Sequence, residues 1–384
     1  MSSALTDLVP LPIVQAPMAG GVSVPRLAAA VSEAGGLGFL AAGYKTADGM
    51  YQEIKALRAL TSRPFGMNLF MPQPEYPGAG TGSTGAADAA PPAAAAVEMY
   101  AEQLAGEATW YEAELGDPDS GRDDGYEAKL AVLLDNPVPV VSFHFGCPAP
   151  EVIESLARKG TLTLVTATSA EEAQAVERSG AHAVIVQGVE AGGHQGTHRD
   201  DPERDCAGVG LLSLVAQVRE AVALPMVAAG GIMRGGQIAA LLTAGVSAAQ
   251  LGTAFLATRE SGAHAVHKQA LNDPLFVRTE LTRAFSGRPA RGLVNRFLRE
   301  HGPYAPVAYP EVHHLTSPLR KAAAKAGDAQ GMALWAGQGH RMARDLPAGE
   351  LVEVLAAEIA AAQAEQASAQ VGGQGGGRAG SEGR

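Results

Sequence analysis

The stretch Gln187-Gly-Val-Glu-Ala-Gly-Gly-His-Gln-Gly196 sets two adjacent glycines, Gly192 and Gly193, before an imidazole, His194. Glycine has no Cβ, so a ligand can come into contact with the backbone there. An imidazole can take or give a proton near neutral pH. Open backbone beside one imidazole is chemistry suited to holding a polar ligand and moving a proton, so His194 is the candidate catalytic residue. His144, at the end of the apolar run Val138–Phe143, is a second candidate, placed to line a substrate pocket or to orient His194. His194 and His198 are four apart, which on a helix would suggest half a metal site. The spacing falls in a glycine-containing loop with no third ligand, so no metal is expected. Cys147 invites a thiol-nucleophile reading, but no residue is identifiable to orient a base, and Pro148 favours a structural turn. His313-His314 reads as surface or lid packing.

The elements that must position these residues alternate between short apolar runs and longer amphipathic ones. Strands are expected at Ile13–Ala16, Leu37–Ala41, Phe65–Leu69, Val138–Phe143, Leu162–Thr166, Ala183–Gln187, Met226–Ala229 and Ala248–Leu251. Helices are expected at Pro25–Ala34, Asp48–Leu60, Pro150–Arg158, Ala170–Ser179, Leu211–Ala221 and Gly235–Ala244. Strand followed by helix implies parallel pairing through crossovers. Eight such strands suit a (β/α)8 TIM barrel of about 250 residues; an open doubly wound sheet is the alternative. The expected organisation is a barrel over 1–262 with an insertion at about 72–134, a helical substrate-covering region over 263–362, and a disordered tail over 363–384. Within the insertion, the Gly/Pro/Ala-rich part from Pro72 to Ala96 is expected to be a mobile excursion. Glu98–Leu134 looks helical around a loop at Gly116–Gly125. The covering region carries an aromatic, proline-rich loop at Pro303–Pro310.

Ligands of parallel barrels bind at the C-terminal ends of the strands. The glycines and polar residues gather at those ends: Pro17-Met18-Ala19-Gly20-Gly21, Asn68, His144, Gln187, Gly230-Gly231, and Gln250-Leu-Gly252-Thr253. A phosphate often sits between the last two loops, on backbone amides and a helix N-terminus. Gly230 and Gly231, before the helix starting near Gly235, suit that role, and Gly252 and Thr253 add open backbone and a hydroxyl. Tight turns alone would also account for these glycines. With a phosphate there, Asn68 and Gln187 could hydrogen-bond a heteroaromatic ring over the mouth. This points to flavin mononucleotide (FMN); no GxGxxG for a dinucleotide follows the first strand.

The formal charge of −11 argues against nucleic acid or an anionic membrane as partner. Two cysteines cannot form a disulfide framework. No secretory leader is visible at the N-terminus, and no run approaches the about 20 apolar residues that span a bilayer. A cytoplasmic location is expected, with a homo-oligomer left open.

These motifs resemble the flavin-dependent nitronate monooxygenases. The matching stretches are Gln15-Ala-Pro-Met-Ala-Gly-Gly21, Val141-Ser-Phe-His-Phe-Gly146, Gly188-Val-Glu-Ala-Gly-Gly-His-Gln-Gly196, Ala229-Gly-Gly-Ile232, Gln250-Leu-Gly-Thr-Ala-Phe255 and Phe285-Ser-Gly-Arg-Pro-Ala-Arg-Gly292. The glycine-histidine and phosphate loops also occur in related enoyl reductases and quinone reductases. The resemblance implies an FMN site at Ala16, Pro17, Met18, Ala19, Asn68, Gln187, Gly192, Gly193, Gly230, Gly231, Gln250, Gly252 and Thr253. Trp335 and Gln338 would close over it. The implied reaction oxidises alkyl nitronates such as propionate 3-nitronate with dioxygen, giving a carbonyl compound and nitrite. His194 would bind the nitro oxygens or take the α-proton of a neutral nitroalkane, and His144, Tyr304 and Tyr309 would line the substrate pocket. The alternative is an NAD(P)H-dependent FMN reductase of an enoyl thioester or quinone.

Overall fold

A computed structural model describes residues 4–73, 93–200 and 208–375. The apolar runs form β1 (Ile13–Gln15), β2 (Gly38–Ala41), β3 (Phe65–Phe70), β4 (Val140–His144), β5 (Leu162–Ala167) and β6 (Ala183–Gln187). After β6 come a two-residue strand β7 (Gly193–His194), then β8 (Met226–Ala229) and β9 (Ala248–Leu251). All but β7 lie in one parallel sheet in the order β1-β9-β8-β6-β5-β4-β3-β2. A parallel bridge between Val14 and Leu37 joins its two ends. The result is the expected (β/α)8 barrel.

Strand side chains alternate between two buried environments. On β6, Val184 and Val186 face outward into the layer shared with Leu214 and Val218 of the helix Leu211–Ala221. Ala183 and Ile185 face inward with Val14, Phe39, Leu164 and Val227. Burying each such aliphatic side chain contributes about 1.5–3 kcal/mol. The same two-residue period carries Asn68 of β3, Ser142 and His144 of β4, Thr166 of β5, Gln187 of β6 and Gln250 of β9 onto the inward column at the top of the barrel. The helix starts carry their own signals. Pro25 and Pro150 open two helices, and the Thr46 and Ser169 side chains cap two others.

Three expectations need correction. The region after residue 262 is not wholly helical: β10 (Thr279–Thr282) and β11 (Ala290–Leu293) form an antiparallel pair, and β11 also pairs with β7. These strands are short and carry Glu280, Arg291 and Gly292, so they lack the β-branched alternation that marks a strand. The last helix runs Ala348–Gly375, past the expected start of disorder at residue 363, through alanines and glutamines of good helix propensity. Finally, Glu358 of this helix accepts a hydrogen bond from the Gly235 amide at 2.6 Å, occupying a helix start that was expected to serve a phosphate. Of the Gly/Pro/Ala-rich segment, residues 74–92 lie outside the described residues, as do 376–384 of the tail.

Candidate active site

A cavity of about 520 Å³ opens at the top of the barrel, within the size range of small-ligand sites. Ala16, Pro17, Met18 and Ala19 line it from the loop after β1, and Asn68 and His144 from the ends of β3 and β4. Gln187, Gly192, Gly193 and His194 line it from β6 and the loop leading to β7. Gly230 and Gly231 follow β8, Gln250 lies on β9, and Gly252 and Thr253 follow it. Trp335 closes one side, held by an antiparallel bridge to Gly292 of β11.

Three expected residues, Gln338, Tyr304 and Tyr309, do not line the cavity. The Gln338 side chain is exposed, and only its neighbours Gly337 and Gly339 line the wall. Tyr304 is 66% exposed in a 3-10 turn that faces solvent. Tyr309, five residues later, is buried, with its ring 5.7 Å from that of His194.

Hydrogen bonds refine several roles. Gln187 clamps the glycine-histidine loop: its amide donates to the His194 carbonyl at 3.2 Å, and its oxygen accepts from Gly196 N–H at 2.7 Å. Asn68 donates to the Ser142 carbonyl and hydroxyl. Thr253 Oγ1 accepts from Gly337 N–H at 2.9 Å, which leaves its proton to donate elsewhere. The amides of Gly231 and Gly252 have no partner among the described residues. Gln250 Oε1 is buried without a hydrogen-bond partner. An unsatisfied buried acceptor is costly, so its presence on the cavity wall marks where a ligand N–H belongs.

His194 sits among aromatic rings: Phe145 edge-on at 5.5 Å, Tyr309 at 5.7 Å and Trp335 at 5.6 Å between centroids. Its Nε2 lies 2.9 Å from the Ser286 hydroxyl. Burial, reinforced by the positive charge of Arg288, holds its pKa well below the usual histidine value, so the ring is neutral at pH 7. Burial and Arg288 likewise push His144 down to about 3. His144 Nδ1 lies 3.2 Å from Thr166 Oγ1. His198 points elsewhere, with Nε2 2.7 Å from the Thr166 carbonyl. Burial raises the Cys147 thiol pKa, and its Sγ donates to the Ala175 carbonyl at 3.8 Å, a structural contact.

Sequence reasoning missed four contributors. Tyr44 lines the cavity, stacks on His313 at 3.9 Å and touches the Tyr309 hydroxyl at 3.2 Å. His313, read as surface or lid packing, is thereby part of the cavity wall. Arg320, on the same helix as His313 (Glu311–Lys325), also lines the cavity. Arg288, with 0% of its surface exposed, lies 4.2 Å from the centroid of the Phe145 ring. The position of Tyr44 just past β2 on the ligand rim was the one usable signal among them.

The nitronate monooxygenase family model matches residues 2–358. The nitronate monooxygenase of Pseudomonas aeruginosa is 43% identical over 358 residues, 91% of this chain and 96% of that protein. That of Paraburkholderia phytofirmans is 41% identical over 357 residues, 91% of this chain and 92% of that protein. Among solved structures, nitroalkane oxidase from Streptomyces ansochromogenes is 77% identical with a TM-score of 0.90, covering 95% of this chain and 100% of that one. FabK from Thermotoga maritima is 27% identical with a TM-score of 0.70, covering 96% of this chain and 99% of that one. No helix among the described residues is long and apolar enough to cross a membrane. With its sequence matched almost end to end and its barrel rim built from the same glycine, histidine and amide residues that carry the resemblance, this chain is an oxidoreductase belonging to the nitronate monooxygenase family.

Proposed function

We propose that the cavity binds FMN and that the enzyme oxidises alkyl nitronates, propionate 3-nitronate among them, with dioxygen to a carbonyl compound and nitrite. The residues present fit the cofactor. Gly231, Gly252 and the Thr253 hydroxyl offer donors for one phosphate, and the orphaned Gln250 Oε1 offers an acceptor for a ring N–H. When bound, the flavin supplies the electron acceptor that the protein lacks.

The chain's own residues then seat the substrate. The observation that carries this reading is a cation and a neutral imidazole facing one cavity. Arg320 donates through Nε to Thr316 Oγ1 at 3.1 Å and through Nη2 to the His313 carbonyl at 2.8 Å. No carboxylate pairs with it among the described residues. Burial lowers its pKa to about 10, which leaves it cationic at neutral pH. A cation without a protein counter-ion favours an anionic substrate such as a nitronate. His194, neutral beside it, can accept an α-proton from a neutral nitroalkane or bond the nitro oxygens. The surrounding Phe145, Tyr309 and Trp335 rings exclude water from that proton.

Purified protein is expected to be yellow, to release about one FMN per chain on denaturation, and to form nitrite from propionate 3-nitronate in air. A protein that stays colourless after incubation with FMN would overturn the cofactor assignment, and rapid bleaching by NADH without nitrite from the nitronate would overturn the reading in favour of a reductase. Arg320→Leu is expected to raise KM for propionate 3-nitronate about tenfold or more, since a charge-assisted hydrogen bond contributes about 1.5–3 kcal/mol. KM for uncharged nitroethane should move less than about threefold by the same reasoning, because the lost charge attracts only an anion. Steady-state nitrite release on both substrates measures the contrast.

A further inference from the structure

Ser286 sits 1% exposed at the end of a tight turn whose shape is fixed on both sides. Ser286 and Gly287 both donate their amides to the Arg283 carbonyl, at 3.1 and 2.8 Å. The Arg283 guanidinium returns to the Gly287 carbonyl at 2.7 Å and is itself held by Asp200 at 2.6 Å. The hydroxyl of Ser286 therefore has little freedom to move. It meets two groups: the Arg288 carbonyl at 3.2 Å and His194 Nε2 at 2.9 Å.

A serine hydroxyl has one proton and two lone pairs, and a carbonyl oxygen has no proton to give. The contact with Arg288 therefore uses the only proton of Ser286. What remains toward His194 is a lone pair, which can be satisfied only if Nε2 carries hydrogen. A neutral imidazole has one N–H, so Nδ1 is then bare. The ring's hydrogen bond among the described residues is the one through Nε2, and the His194 ring lines the cavity. The three flanking aromatic rings hold the imidazole plane in place. We propose that Ser286 is a positioning residue that fixes His194 in its Nε2–H tautomer and so presents Nδ1 to the substrate as the proton-accepting atom.

The proposal rests on His194 acting as the base, and the experiment separates the two ideas. Holoenzyme labelled with 15N-histidine is examined by long-range proton–nitrogen correlation, with His194 assigned by the loss of its signals in His194→Asn. The wild-type spectrum is expected to show one tautomer, protonated at Nε2. In Ser286→Ala the preference should collapse to a mixture of tautomers or invert. The same variant should lose about tenfold in kcat with nitroethane, the loss expected for one hydrogen bond, and less than about twofold with preformed ethylnitronate. A wild-type ring protonated at Nδ1, or a Ser286→Ala ring that stays wholly Nε2–H, overturns the proposal. The wild-type spectrum alone decides if the alanine variant does not fold. Failure of the base reading has a different signature. His194→Asn would then lose equally on both substrates while the tautomer spectra still came out as expected.

Discussion

Replacing His194 with asparagine is expected to cut turnover of neutral nitroethane by about 10²- to 10⁴-fold, the usual contribution of a positioned general base. Preformed ethylnitronate should lose less than about tenfold, since its α-proton has already gone and only binding and electron loss remain. Asparagine keeps a planar amide at the Nδ1 position that can still donate to nitro oxygens, but it cannot accept a proton at any working pH. The pH dependence follows from the lowered pKa. A histidine whose folded value is depressed is in its unprotonated, active form above that value and loses activity as pH falls through it. Because burial and Arg288 place the His194 value well below the usual one, nitroethane turnover should stay level from neutrality down past pH 6.5. Oxygen uptake on the two substrates, followed against pH, is the measurement. Equal losses on both would remove the base role, and an acid limb centred at or above about 6.5 would contradict a ring held neutral by its surroundings.

The barrel was legible because its strands are buried on both faces and read as uninterrupted apolar runs. Strands β6, β8 and β9 begin and end where the composition changes. Their period of two then carries Asn68, Gln187 and Gln250 to the rim, so most of the cavity wall follows from local pattern. What stayed hidden depends on contacts between distant segments. The strand nature of Gly193-His194 comes from Ala290 and Arg291, about a hundred residues away, and two residues carry no periodicity of their own. His313, expected in surface or lid packing, and Arg320 lie on one helix, and only its docking across the mouth turns them inward. Tyr304 and Tyr309 share one aromatic, proline-rich loop, and nothing local tells which side of it faces the site. Gln338 illustrates the same limit: its backbone N–H bonds the Glu190 carbonyl at 3.0 Å, which fixes the segment, while the side chain turns to solvent.

That stitching makes Gly192 a backbone position beside the cavity where one added methyl group should do serious harm. A Cβ built there would stand 2.4 Å from Gly337 N, 2.5 Å from Ala336 C and 2.8 Å from Ala336 Cα. All three are backbone atoms, so no side chain can swing aside to relieve the contact. The 336–338 segment is itself pinned by Ala336 N–H to Arg291, Gly337 N–H to Thr253 Oγ1 and Gln338 N–H to Glu190. Making room means breaking one of these bonds or moving the glycine-histidine loop away from the wall. Either change disturbs the Thr253 hydroxyl proposed for the phosphate and the backbone beside His194. Gly192→Ala is therefore expected to destabilise the protein by about 3 kcal/mol, the upper end of ordinary overpacking. It should also purify with most of its flavin missing, read from the ratio of visible to ultraviolet absorbance. Gly236→Ala supplies the control: nothing lies within 4 Å of its would-be Cβ. It is exposed in the helix Gly235–Thr243, where alanine should stabilise by about 0.5–1 kcal/mol. If Gly192→Ala retained full flavin and a wild-type melting temperature, the two segments could part without cost, and the rigid wall on which the cofactor site depends would not exist.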